Sequence, residues 1–214
     1  MSANSFTNSS LRELLFSTYQ KRQEEFKPKS DNEIWVSWLS ECQVKREQVT
    51  EENSNPYWLI RGIVTHIGVQ TFLREEVAEA EKKVEYPLEV DGKQYVIKGS
   101  VDLVLKDGTL VELKTSRRSF MSYYPQHVFQ LRLYMFMLHV DRGLLVYLTP
   151  DDVLEHKVTW DTPSGLFEPF PEITHEYLVK AVRDYLGHRR ISPFGECPIC
   201  FLKKTCRYRV QVHK

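Results

Sequence analysis

No stretch of the 214 residues reaches the length of unbroken apolar sequence, ~18 residues or more, that a membrane-spanning helix needs. Charge of one sign is not in excess either. Lys and Arg number 29 and Asp and Glu number 29, so the formal net charge is zero. A whole-molecule basic field of the kind that concentrates polyanions is therefore absent. The opening residues, MSANSFTNSSLRELL, lack a basic start followed by an apolar block, which argues against a secretion signal and for a soluble, cytoplasmic chain. Internal repeats and low-complexity segments are missing, and cysteine is scarce, with four residues in all.

Composition supplies what a packed core requires: 42% of the residues are hydrophobic and 12% aromatic. The length suits one large domain, or one domain with small additions. Positive charge gathers locally in the C-terminal run KKTCRYRVQVHK and at Arg117 and Arg118. Such clusters are ordinarily solvated faces, so charge alone does not choose a partner. Placement matters more than number for the cysteines. Cys42 stands alone near the N-terminus, whereas Cys197, Cys200 and Cys206 form a C-x2-C-x5-C group. In a reducing compartment clustered thiols favour metal binding over disulfides.

Periodicity predicts helices over residues 9–27 and 32–40, separated by Pro28. After the polar turn EENSNP, a longer helix is expected over 57–82, with Leu59, Ile63, Ile67 and Leu73 as apolar positions. Then come VEYPLEV, Asp91-Gly92, QYVIKGSVDLVL, Asp107-Gly108 and TLVELKT. Asp-Gly between strand-like runs is a strong hairpin signal, and two in succession predict a three-stranded antiparallel meander. A buried helix is expected over 126–140, a buried strand over 143–149, an edge strand at LEHKVTW and an amphipathic helix over 171–187. This order gives an α/β fold around a mixed sheet.

Chemistry concentrates on the second and third strands of the meander. Asp102 sits among Val101, Leu103, Val104 and Leu105, and Glu112 and Lys114 lie in LVELKTS. Side chains alternate along a strand, so Glu112 and Lys114 share one face, and the hairpin at Asp107-Gly108 can bring Asp102 near Glu112. Two carboxylates in a partly buried site repel each other unless a cation joins them. A hard divalent ion such as Mg²⁺ or Mn²⁺ takes oxygen ligands, polarises a phosphoryl oxygen and acidifies a bound water. Lys114 would then stand where negative charge develops. The chemistry implied is phosphodiester hydrolysis, and the competing reading is a set of ordinary charges on the wet face of a strand.

Two helices carry further candidates. His66 lies in RGIVTHIGV on a largely apolar helix, where a core histidine is the plainer reading. Gln130 and Tyr134 fall one turn apart in FQLRLYMFML, with Gln126 a turn earlier. An amide buried in so apolar a helix costs ~1–3 kcal/mol unless it finds partners, so it either meets something polar at a site or makes a private hydrogen bond in the core.

In this order, His66, Asp102, Glu112-x-Lys114 and Gln130-x-x-x-Tyr134 resemble the RecB-like branch of the PD-(D/E)XK nuclease superfamily. More narrowly the chain is similar to the stand-alone CRISPR-associated RecB-type exonucleases, the fourth family of CRISPR-associated proteins. Val101 takes the place of the proline in the superfamily's name, as is common in that branch. The resemblance runs from Cys42 to Cys206. It implies a restriction-endonuclease-like core over 57–190, an N-terminal helical segment over 1–56 and a cysteine segment with basic tail over 191–214. It implies catalytic roles for Asp102, Glu112, Lys114, Gln130 and Tyr134. Divalent-metal ligation would fall to His66, Asp102, Glu112 and the main-chain carbonyl of Leu113. It further implies an iron–sulfur cluster on Cys42, Cys197, Cys200 and Cys206, 4Fe–4S rather than 2Fe–2S, with a structural zinc site as the competing reading. The implied substrate is DNA, mainly single-stranded and degraded from the 5′ end, before fragments enter a CRISPR array, with CRISPR integrase proteins as possible partners. Arg117 and Arg118 are candidate phosphate contacts, and Tyr123 and Tyr124 candidate stacking platforms or core residues. The rival functions are a DNA-end recognition module of an integrase complex and a repair or viral nuclease outside CRISPR.

Overall fold

The computed structural model describes residues 10–25, 27–48, 56–116, 122–163, 170–189 and Cys206. Helix α1 (Leu11–Glu25) is followed by a three-residue strand β1 (Glu33–Trp35) and two short helices, α2 (Val36–Ser40) and α3 (Gln43–Gln48). The expected helix over 32–40 is thus half strand. Glu33, Ile34 and Trp35 pair in parallel with Val96, Ile97 and Lys98, and the Glu33 carboxylate accepts from Lys98 Nζ at 2.9 Å. Tertiary pairing overrides the local pattern there.

Helix α4 (Pro56–Phe72) ends well before residue 82, and a turn leads into the long strand β2 (Val77–Val90). The segment AEAEKK has helical composition, but its backbone is committed to strand β3 (Lys93–Leu105), with which β2 pairs antiparallel from Val77↔Leu105 to Val90↔Lys93. Asp91 and Gly92 both have positive φ, 51° and 76°, as a tight hairpin turn requires. The second Asp-Gly turn leads to β4 (Leu110–Thr115), completing the meander. Helix α5 (Pro125–Leu138) then crosses over to β5 (Gly143–Leu148), parallel to β4, and β6 (Val153–Val158) closes the sheet as an edge strand. The last described helix, α6 (His175–Leu186), starts at Thr174, whose hydroxyl accepts from Tyr177 N.

One feature of the sheet positions the site. β3 pairs with β2 along its whole length on one edge. Its other edge is shared, by β1 at Val96–Lys98 and by β4 at Leu103 and Val104. Among the described residues, no strand pairs with 99–102 on that edge. The main core lies between the sheet and α2, α5 and α6, with Val128, Phe129, Leu131, Leu133 and Met135 of α5 fully buried. Each such side chain contributes roughly 1.5–3 kcal/mol by leaving water. A smaller cluster of Leu103, Val111, Leu113 and Val146 packs with Val69 of α4.

Candidate active site

The fork in the sheet is filled by side chains. Asp102 stands one residue beyond the last β3–β4 pair, Leu103↔Val111, and its Oδ2 accepts the Leu113 backbone N–H at 2.7 Å. Its Oδ1 lies 3.4 Å from His66 Nδ1 on α4. At the other end of the gap, Tyr134 of α5 presses on Gly99. A Cβ at that position would fall 2.5 Å from Tyr134 Cε1, so only glycine admits the ring.

Glu112 and Lys114 share a face of β4, as strand alternation demands, and turn toward α5. Lys114 Nζ donates to Glu112 Oε1 at 2.7 Å and to Gln130 Oε1 at 3.1 Å. Gln130 Nε2 donates to the same Glu112 oxygen at 2.8 Å and faces the Tyr134 hydroxyl at 3.4 Å. Glu112 is only 3% exposed, and burial, with a smaller push from Asp102, raises its pKa to about 7 against the pull of Lys114. Burial works against the Lys114 ammonium, but Glu112 and Asp102 together outweigh it and hold its pKa above the ordinary lysine value. Burial and the nearby Glu112 carboxylate push the Tyr134 phenol far above its usual range, so it stays protonated.

The second Glu112 oxygen, Oε2, is buried with no hydrogen-bond partner among the described residues. A buried, half-satisfied carboxylate beside a second carboxylate is the donor set that a hard cation relieves. Among the described residues no three His, Cys, Asp or Glu side chains already converge as a closed metal cage.

A cleft of about 380 Å³ opens over Lys114, His66 and Leu113. Its outer walls carry Trp58 and Tyr124, 37% and 38% exposed, and its side carries His127. Tyr147 braces that side, accepting from Tyr124 N at 3.0 Å and meeting His127 Nδ1 at 2.9 Å. Trp58 and His127 escaped the sequence reading. Their only signal is helical phase, His127 lying three residues before Gln130 and Trp58 eight before His66. Tyr123 is placed elsewhere: its hydroxyl donates to the Pro163 carbonyl and its ring meets His156 edge-on. Gln126 stays outside the Glu112 network, its Oε1 buried without a partner among the described residues. Cys42 is buried between α2 and α3, and Cys206 is partly exposed. Arg117, Arg118, Cys197 and Cys200 lie outside the described residues.

The family model of the PD-(D/E)XK nuclease superfamily matches residues 14–207, a span that includes every element of this site. The chain belongs to the PD-(D/E)XK nuclease superfamily. The nuclease is 29% identical over 190 residues to the CRISPR-associated exonuclease Cas4 of Saccharolobus solfataricus, covering 83% of this chain and 89% of the relative. Its fold matches the crystal structure of SSO0001 with a TM-score of 0.72 at 24% identity, over 95% of this chain and 100% of the other. As a PD-(D/E)XK nuclease it keeps an aspartate and a Glu-x-Lys strand at the opening of the sheet, with Val101 before the aspartate.

Proposed function

We propose that this nuclease is a divalent-metal-dependent DNA exonuclease that acts mainly on single strands from the 5′ end and trims DNA fragments before they enter a CRISPR array. The observation that carries the reading is Glu112, a buried carboxylate with one oxygen bonded by Lys114 and Gln130 and the other without a partner among the described residues. His66, Asp102, Glu112 and the Leu113 carbonyl are the groups that would hold Mg²⁺ or Mn²⁺. Such an ion supplies a Lewis acid for the phosphoryl group and an acidified water. Lys114 offers a fixed positive charge where the phosphorane develops negative charge. Gln130 and Tyr134 keep Glu112 and Lys114 in register, since the amide contacts both. Trp58 and Tyr124 suit stacking on unpaired bases, a contact that any base sequence accepts.

The resemblance to the CRISPR-associated exonuclease supports the biological setting. We assign the iron–sulfur cluster to Cys42, Cys197, Cys200 and Cys206. Burial of Cys42 at a helix junction, away from bulk water, supports a structural ligand there.

A direct test incubates 5′- and 3′-labelled single- and double-stranded DNA with the protein in Mg²⁺, Mn²⁺, Ca²⁺ or EDTA. Cleavage is expected with the first two ions, faster on single strands, and lost in chelator. Full activity in EDTA overturns the metal-dependent reading. Equal rates on both substrates overturn the strand preference.

A further inference from the structure

His66 and Gln70 lie one turn apart on α4, and both reach Asp102. His66 meets its carboxylate, while Gln70 Nε2 donates to its main-chain carbonyl at 3.3 Å. The same Gln70 amide donates to Glu81 Oε1 at 3.1 Å. Glu81 is an unusual residue in β2. Its φ is 53°, in the left-handed region that a non-glycine residue adopts only when its surroundings compel it. The β2–β3 ladder runs through Ala80↔Leu103 and Lys82↔Val101, and the pair absent between them is Glu81 opposite Asp102. The Glu81 carboxylate is held on three sides, by Gln70, by Arg22 Nη2 of α1 at 3.0 Å and by Ser100 Oγ at 3.4 Å.

We propose that Gln70 and Glu81 are positioning residues for Asp102. The ladder pairing skips Glu81 and Asp102, and Gln70, itself aimed by Glu81, holds the Asp102 carbonyl. This fixes the backbone so that the carboxylate stays on Leu113 N–H and beside His66. Neither residue touches substrate; both act through Asp102. The inference rests on the reading of Asp102 as part of the metal-binding site. Groups that orient a ligand in this way typically change metal affinity or rate by about 10–100-fold when removed.

The test compares Gln70→Leu, Glu81→Ala and Glu81→Gln with the wild type in three measurements: Mn²⁺ affinity by electron paramagnetic resonance, steady-state cleavage, and melting temperature. Gln70→Leu and Glu81→Ala are expected to weaken Mn²⁺ binding about 10-fold and lower kcat by about 10-fold or more, with KM for DNA within about twofold. Glu81→Gln keeps an acceptor oxygen for Gln70 and should restore most of both. Wild-type Mn²⁺ affinity and kcat in Gln70→Leu overturn the proposal. So does Glu81→Gln behaving like Glu81→Ala, which also decides the matter should Gln70→Leu fail to fold. A wild type that binds Mn²⁺ but cuts no DNA would instead overturn the nuclease reading, and the Mn²⁺ titration would still report on positioning.

Discussion

Gln130 Nε2 donates to Glu112 Oε1 at 2.8 Å, joining the third strand of the meander to the helix that follows it. Because Lys114 Nζ reaches the same oxygen at 2.7 Å, the carboxylate is pinned in one rotamer, with its other oxygen left without a partner among the described residues. The two donors, one neutral and one cationic, converge on a single oxygen and so orient the group. An unpaired buried acceptor costs ~1–3 kcal/mol, a strain that persists when a ligand relieves it during function.

Glu112→Gln should therefore keep the fold and lose the reaction. The amide preserves volume and an acceptor for Lys114, but not the charge that a cation needs. Cleavage of single-stranded DNA is expected to fall at least ~10²-fold, and the same loss is expected in Asp102→Ala and Lys114→Ala. Lys114→Ala should still bind DNA in Ca²⁺, measured by fluorescence anisotropy. Wild-type rates for Glu112→Gln would place the chemistry elsewhere in the cleft.

Stability in chelator should carry the signature of the same residue. Burial raises the Glu112 pKa from 4.5 to about 7, so between those values the folded chain holds a proton that the unfolded chain has released. The folded state is favoured below the window, and that contribution is lost as pH rises through it. The half-buried His156, whose pKa partial burial lowers, works in the opposite direction, so absolute melting temperatures mix the two. The difference between wild type and Glu112→Gln isolates Glu112. In EDTA that difference should shift against the wild type from pH 5 to pH 8. Adding Mg²⁺ should recover the wild type alone at the upper end. A pH-independent difference would mean that Glu112 is already ionised in the folded protein.

Much of this arrangement was legible in residue order. The Asp-Gly pairs announce both hairpins, the apolar run 126–140 announces α5, and alternation puts Glu112 and Lys114 on one face. What remained hidden depends on partners remote in sequence. The first half of β2 is charged and rich in alanine and glutamate, and only pairing with β3 makes it a strand. β1 owes its state to three residues of β3, and the fork between β1 and β4 has no sequence period at all. Gln70 and Glu81 become meaningful only once α4 and β2 meet at Asp102.

Gly99→Ala tests the fork. The added methyl falls 2.5 Å from Tyr134 Cε1 and 2.9 Å from its hydroxyl, and the ring, 3% exposed, has no room to retreat. Overpacking of this kind costs about 1–3 kcal/mol. Thermal or urea denaturation should show that loss, with a fall in activity through the displaced Tyr134 and Gln130. In a Tyr134→Ala background the same substitution should be nearly neutral, because its clash partner is gone. A loss of equal size in both backgrounds would mean that Gly99 matters for backbone freedom and not for the ring.

The cysteines allow a test that needs no substrate. Protein purified without oxygen should be brown, with broad absorbance near ~400 nm from thiolate-to-iron charge transfer. Cys42 precedes the whole nuclease core and Cys197, Cys200 and Cys206 follow it, so a shared cluster closes a very long loop. Closing a long loop removes conformational freedom from the unfolded chain, which favours the folded one. Changing any one of the four to Ser should bleach the protein and lower its melting temperature. Buried Cys42 should be among the most damaging, because its replacement also alters a buried position between α2 and α3. Catalytic loss should follow the loss of stability and not precede it, since none of the four is among the groups assigned to the divalent metal. Short assays below the melting point of each variant would separate the two. A colourless protein with stoichiometric zinc after anaerobic expression in iron-rich medium would replace the cluster with a zinc clasp. The Asp102, Glu112 and Lys114 chemistry would stand unchanged.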